Sequence, residues 1–141
     1  MQYKIDVFVT APVMETEIDE RVLQAVRSIF PEADPVIEPG ASRVTGEARS
    51  LDTFAEKIRE QRILDTVRGH LFDQQRGKAI EFDLKKQAAF RGIVNFSVGK
   101  SDELGEIHVE VHIEDPSVEE FIEYLAPATD EEGRPIEDPM S

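Results

Sequence analysis

The alternation of apolar and polar positions opens the chain with a strand. Tyr3, Ile5, Val7 and Val9 alternate with Gln2, Lys4, Asp6 and Phe8, the period-two pattern of a strand with one buried face. The period then lengthens. Ile18, Val22, Ala25, Val26 and Ile29 recur at helical spacing until Pro31, with Thr16 as N-cap and Glu17 and Asp19 suited to the first turn. Val36-Ile37 and Arg43 to Ala48 flank the turn Pro39-Gly40-Ala41-Ser42 and predict a hairpin. Ser50 caps the next helix, where Leu51, Phe54, Ala55 and Ile58 form one stripe and Ile63, Val67 and Leu71 another. The step from Ile58 to Ile63 does not fit the helical period, so a bend or break is expected between them. Lys78 to Leu84 alternates cleanly, Lys85 to Ala89 makes a helical turn, and Ile93 to Val98 and Glu106 to Ile113 predict two more strands. Asp115, as N-cap, and Pro116 open a last helix carrying Val118, Phe121, Ile122 and Leu125, which Pro127 ends.

The order β-α-β-β-α-β-β-β-α specifies an α+β fold of two layers, a largely antiparallel sheet with helices on one face. The first six elements also fit the ferredoxin-like βαββαβ pattern, which stands as the alternative. Residues 1–127 are expected to form a single domain, and the acidic, apolar-poor stretch 128–141 a disordered tail.

Composition narrows the chemistry. The 141 residues contain no cysteine, which excludes disulfides, thiolate nucleophiles and cysteine-held metal or iron–sulfur centres. No apolar run approaches the roughly 18 residues of a membrane span, and the first ten residues alternate instead of forming a leader. A soluble, cytoplasmic protein without a membrane partner is expected. Acidic side chains outnumber basic ones 30 to 16, giving a net charge of −14. Abundant carboxylates with few lysines look like the composition of proteins from salt-loving archaea, so a halophilic habitat is expected. Near 1 M salt the screening length falls to about 3 Å and self-repulsion is largely removed.

The charge is unevenly spread. Between Lys57 and Arg91 stand nine cations (Lys57, Arg59, Arg62, Arg68, Arg76, Lys78, Lys85, Lys86, Arg91) and five carboxylates, so this segment is net +4 while the rest of the chain is −18. Such a segment either reserves a face for an anion or pairs with the acidic remainder.

Several blocks resemble a known family. Arg59-Glu60-Gln61-Arg62-Ile63-Leu64-Asp65, Leu84-Lys85-Lys86-Gln87-Ala88-Ala89-Phe90-Arg91-Gly92, Leu104-Gly105-Glu106-Ile107 and Tyr124-Leu125-Ala126-Pro127 are similar to the motif blocks of uncharacterised protein family 0201 of archaea. The likeness covers nearly the whole chain apart from the tail. It departs from the family pattern at Lys85, where Asn is usual, and at Glu106, where Pro is usual. The resemblance implies a fold similar to that of ribosomal protein L-five of the large subunit, and through that fold alone a link to RNA.

Three function classes follow. The leading one is a non-enzymatic RNA-associated or anion-binding module, with Arg59, Arg62, Lys86 and Arg91 as contacts, because the planar Arg fork suits phosphate. The second is a structural protein that self-associates, as in a homodimer. The third is a metal-dependent hydrolase using the strand histidines. His108, Glu110 and His112 share one strand face, but the two histidines start about 13 Å apart, too far for one ion, so only His108 with Glu110 or Glu110 with His112 can contribute to a site, with a third ligand from another strand. A solvated polar face is the expected role, with no metal and no cofactor. His70, three residues before Asp73, reads as a surface pair or a helix-end cation. No phosphate-cradling glycine loop, nucleophile elbow or acid–base pair occurs, so no catalytic residue is assigned. Arg43 to Ala48 lacks the aromatics of an RRM sheet, and Phe82 and Phe96 lie in phase with core positions.

Overall fold

A computed structural model describes residues 3–98 and 105–129. Its elements are β1 (Lys4–Pro12), α1 (Asp19–Ile29), a 3-10 turn (Pro31–Ala33), β2 (Val36–Glu38), β3 (Arg43–Ala48), α2 (Asp52–Glu60), α3 (Leu64–Asp73), β4 (Gln75–Arg76), β5 (Ala79–Lys85), α4 (Lys86–Phe90), β6 (Glu106–Asp115) and α5 (Val118–Leu125). The six strands form one sheet in the order β2-β3-β1-β6-β5-β4, and every pairing is antiparallel. Period-two alternation sends Ile5, Val7, Val9 and Ala11 of β1, Ile80, Phe82 and Leu84 of β5, and Ile107, Val109, Val111 and Ile113 of β6 into one core. The helices supply the opposing layer through Val26, Ile29, Phe54, Ile58, Val67, Leu71 and Ile122, all fully buried. The fold is α+β, as the pattern predicts.

The ferredoxin-like alternative describes only the first half. β1, α1, β2 and β3 make the expected split unit, with β3 between β2 and β1. In that fold the strand after the second helix would lie beside β1. Here β6 takes that place, and β4 and β5 extend the sheet outward.

The break after α2 falls where the five-residue step puts it. Arg62 adopts a left-handed φ of 58°, its N–H bonds to the Arg59 carbonyl, and the Ile63 N–H reaches back to Ile58. That is the Schellman arrangement, with arginine where glycine is usual. α4 ends the same way, with Gly92 at φ 76° and bonds from Gly92 to Ala89 and from Ile93 to Ala88.

Several local expectations need correction. Thr16, Ser50 and Asp115 do not cap helices. α1 and α2 begin at Asp19 and Asp52 without side-chain caps, and Ser117 is the cap of α5, its Oγ accepting from the Glu120 N–H at 3.1 Å. Ile93 to Val98 is not a strand. Among the described residues only a bridge between Leu84 and Phe96 forms, closed by the Lys85 N–H on the Asn95 carbonyl and the Ser97 N–H on the Asp83 carbonyl. Pairing stops there because β5 gives way to α4 at Lys86, and the Val94 N–H and carbonyl are taken up by the Gln61 side chain at 2.7 and 3.0 Å. Ile18 lies outside the α1 helix and is 57% exposed instead of joining its core stripe. The tail beyond residue 129 lies outside the described residues. Among the described residues no helix is long and apolar enough to cross a membrane.

Candidate functional site

The basic segment divides once it folds. Arg68 pairs with Glu123 across α3 and α5, and this holds the Glu123 carboxyl below the usual carboxylate range. Lys57 donates to the Gly92 carbonyl at 3.1 Å and closes the cap of α4. Lys86 is a buried charge, 5% exposed, donating to Glu17 Oε1 at 2.8 Å and to the Pro12 carbonyl. An ammonium held in this way ties α4 to the β1–α1 connection, so Lys86 is not a surface contact for an anion. Arg59, Arg62 and Arg91 are exposed and take part in no ion pair among the described residues. They do not share one spot. Lys57 and Gln61 face the 92–94 segment, whereas Arg59 lies two residues on from Lys57, about 200° around the helix. Arg62 sits at the α2–α3 break and Arg91 at the end of α4.

Arg91 opens instead onto a groove of about 760 Å³ between α1 and the stretch from Lys85 to Asn95. Thr16, Glu17, Ile18, Arg21, Val22 and Ala25 make one wall. Lys85, Gln87, Ala88, Phe90, Arg91, Ile93 and Asn95 make the other, and the Lys86–Glu17 pair crosses beneath. Arg21, Lys85 and Arg91 are exposed and join no ion pair among the described residues, so the groove is rimmed by cations on a chain of net charge −14. Ile18, Phe90 and Ile93 leave 57, 39 and 45% of their surface open to water beside it.

Sequence reasoning held Lys85 only as one cation of the Lys57–Arg91 segment and did not place Arg21 in the site. A signal for Arg21 existed: it stands three residues after Ile18 and four before Ala25, on one flank of α1. The β5 alternation puts Lys85 out of the core and, carried one residue further, Lys86 into it. A smaller cavity of about 160 Å³, lined in part by Tyr3, Arg49 and Tyr124, lies between α5 and the start of α2.

The uncovered face of the sheet has the opposite character. Glu47, Phe8, Glu110 and Glu81 face one another in a row across β3, β1, β6 and β5, with Asp83 opposite His108 in the next row. His108 Nδ1 lies 2.8 Å from Asp83 Oδ1 and its Nε2 lies 3.4 Å from Glu81. Burial pushes the His108 imidazole down, but the hydrogen bond to Asp83 and the charges of Asp83 and Glu81 outweigh it, so it protonates above its usual range. β5 does supply a third group to the strand histidine: Glu81, His108 and Glu110 bring ligand-capable atoms within 4.8 Å of one another. His112 stands apart, bonded to Glu110 at 2.9 Å. His70 is not the surface cation the sequence suggests. It packs on Phe96 with ring centroids 4.3 Å apart, and burial lowers its pKa despite Asp73 and Asp83.

Comparison with known proteins sets this geometry in a family. Residues 6–113 match a family model described as RNA binding. The chain is 35% identical over 135 residues to a UPF0200/UPF0201 protein of Archaeoglobus fulgidus, covering 95% of this chain but 41% of that protein, so it spans less than half of that relative's length. It is 37% identical over 119 residues to a UPF0201 protein of Methanothermobacter thermautotrophicus, covering 84% of this chain and 89% of that one. The crystal structure of a UPF0201 protein from Methanococcus jannaschii superposes with a TM-score of 0.84 at 33% identity, covering 94% of this chain and 99% of that one. With sequence and backbone alike over most of its length, the chain belongs to the archaeal UPF0201 family and to the RNA-binding family whose model it matches.

Proposed function

We propose that the protein is a non-enzymatic, RNA-associated module that takes RNA along the groove between α1 and the Lys85–Asn95 stretch. The supporting observation is the coincidence on one groove of three cations outside any described ion pair, Arg21, Lys85 and Arg91, with the exposed apolar side chains of Ile18, Phe90 and Ile93. Cations at a rim meet phosphates, and Arg does so with a planar fork that bonds two oxygens at once. The row of carboxylates on the open sheet face repels the same phosphates, so the molecule offers RNA one side only. Arg59 and Arg62 serve in this reading as outlying phosphate contacts on the α2 side. Lys86 is the frame that holds the groove wall.

The test is a titration of a fluorescently labelled mixed-sequence RNA at several KCl concentrations, read by anisotropy. Phosphate contacts position without reading bases. The triple variant Arg21→Ala/Lys85→Ala/Arg91→Ala should therefore weaken binding alike for all sequences. It should also flatten the log–log salt dependence by about 0.7 for each phosphate that is no longer neutralised. Curves for the triple variant that superpose on wild type would remove the groove from the RNA interface. A salt-independent rise in mass by sedimentation, abolished by the same variant, would instead make the groove a contact between two copies of the chain.

A further inference from the structure

Resting on the RNA reading above, we infer that the groove is built for single-stranded RNA, with an unpaired base laid against Phe90 and the flanking phosphates on Arg21, Lys85 and Arg91, and that duplex RNA is excluded from it. A nucleotide is polar at one end and flat and apolar at the other. The groove has the same polarity: cations at its rim, and Val22, Ala25 and Ala88 with the ring of Phe90 along its walls.

Duplex RNA hides its bases and presents phosphates and 2′-hydroxyls across a wide, shallow groove, so a protein reads it with an extended surface. A cavity of about 760 Å³ confined between two helices cannot follow such a surface. It can admit bases splayed from a single strand, which proteins hold by stacking on aromatic faces while a basic rim tracks the backbone.

The walls are set before any ligand arrives. The cap of α4 fixes the backbone on either side of Gly92. Lys57 holds the Gly92 carbonyl, Gln61 grips Val94 by two bonds, and Lys86 anchors the start of α4 to Glu17 and Pro12. Phe90 and Ile93 are thereby held 39 and 45% exposed on a rigid frame, which lowers the ordering that binding must impose. The exposed amides of Gln87 and Asn95 border the same space and can bond base edges, so a modest sequence preference is expected.

The experiment uses the full chain and two probes at one salt concentration: a labelled 12-nucleotide mixed-sequence RNA, and the same strand annealed to its complement. The single strand should bind at least tenfold more tightly. Phe90→Leu should weaken single-strand binding between about 5- and 150-fold, the range for losing one stacked base, without changing the salt slope. Phe90→Tyr, which keeps the aromatic face, should bind as wild type does. Duplex binding equal to or tighter than single-strand binding, or a Phe90→Leu variant as tight as wild type, would overturn this inference while leaving the RNA reading intact. So would a Phe90→Tyr variant as weak as Phe90→Leu, since the loss would then be one of packing. Failure of both RNAs to bind would defeat the RNA reading itself.

Discussion

Replacing Lys86 by methionine separates its two possible roles, because a frame residue and a phosphate contact respond oppositely. The ammonium is 5% exposed and its partner Glu17 has 11% of its side chain open to water. Removing the cation leaves Glu17 a nearly buried carboxylate with the Met14 N–H, 3.0 Å away, as a remaining donor, and takes a donor from the Pro12 carbonyl. Breaking a buried pair from one side costs about 3–5 kcal/mol. Glu17 keeps some water and one hydrogen bond, so the lower end, about 3 kcal/mol, is expected. For a domain of this size each kcal/mol moves the Tm by about 3–4 °C, so the melting point should fall by about 10 °C. Thermal unfolding followed by circular dichroism reads this directly. Lys86→Met/Glu17→Gln should recover most of the loss, because Glu17 then no longer carries an unpaired charge. A Lys86→Met variant within about 0.5 kcal/mol of wild type, the range of ordinary surface substitutions, would refute the burial argument and make Lys86 available as a phosphate contact.

Three further outcomes follow from the same geometry. His108 protonates above its usual range when folded, so its stabilisation is present below the ordinary imidazole pKa and is lost as pH rises through the raised value. His70, shifted down, contributes stability above the ordinary value and loses it as pH falls. Denaturant titrations from pH 5.5 to 8.5 should show His108→Asn losing stability on acidification relative to wild type and His70→Asn gaining it; profiles that superpose would contradict both assignments. Gly46→Ala should destabilise by about 1–3 kcal/mol, because a Cβ on β3 would stand 2.8 Å from the Ala33 carbonyl oxygen of the 3-10 turn, and an unchanged midpoint in urea would show that the turn gives way freely. With a net charge of −14, the Tm should climb between dilute buffer and 1 M KCl, where screening reaches about 3 Å, and a flat series would remove the halophilic expectation.

What the sequence disclosed and what it hid have physical reasons. Strands buried on one face announce themselves, and β1, β5 and β6 are legible because every second residue enters the core. The α2–α3 break is legible because Ile58 and Ile63 cannot share one helical stripe. The burial of Lys86 is not, although it follows the phase of Ile80, Phe82 and Leu84, since a lysine in that phase is buried only where a partner holds its charge. Its partner Glu17 lies 69 positions away. Ile93 to Val98 has strand composition, yet β5 turns into α4 at Lys86 and leaves it a single bridge, while Gln61 takes up the Val94 backbone. Of the four cations that the sequence singles out, Arg91 borders the groove as an exposed cation and Lys86 as a buried one. The spacing of Arg21 from Ile18 and Ala25 places it on one flank of α1, but that this flank faces α4 is a matter of tertiary packing. The approach of Glu81 to His108 likewise depends on the β5–β6 register.

The central claim is that RNA meets the groove and avoids the open sheet face, and photocrosslinking tests it most directly. The full chain, bound to RNA from an archaeal extract at high KCl, is irradiated, digested and mapped by mass spectrometry. Nucleotide adducts are predicted within residues 18–25 and 85–95, with Phe90 among them, together with a loss of adducts in the Arg21→Ala/Lys85→Ala/Arg91→Ala variant. Adducts centred on Phe8, His108 and His112 of the open face, undiminished by that variant, would contradict the claim.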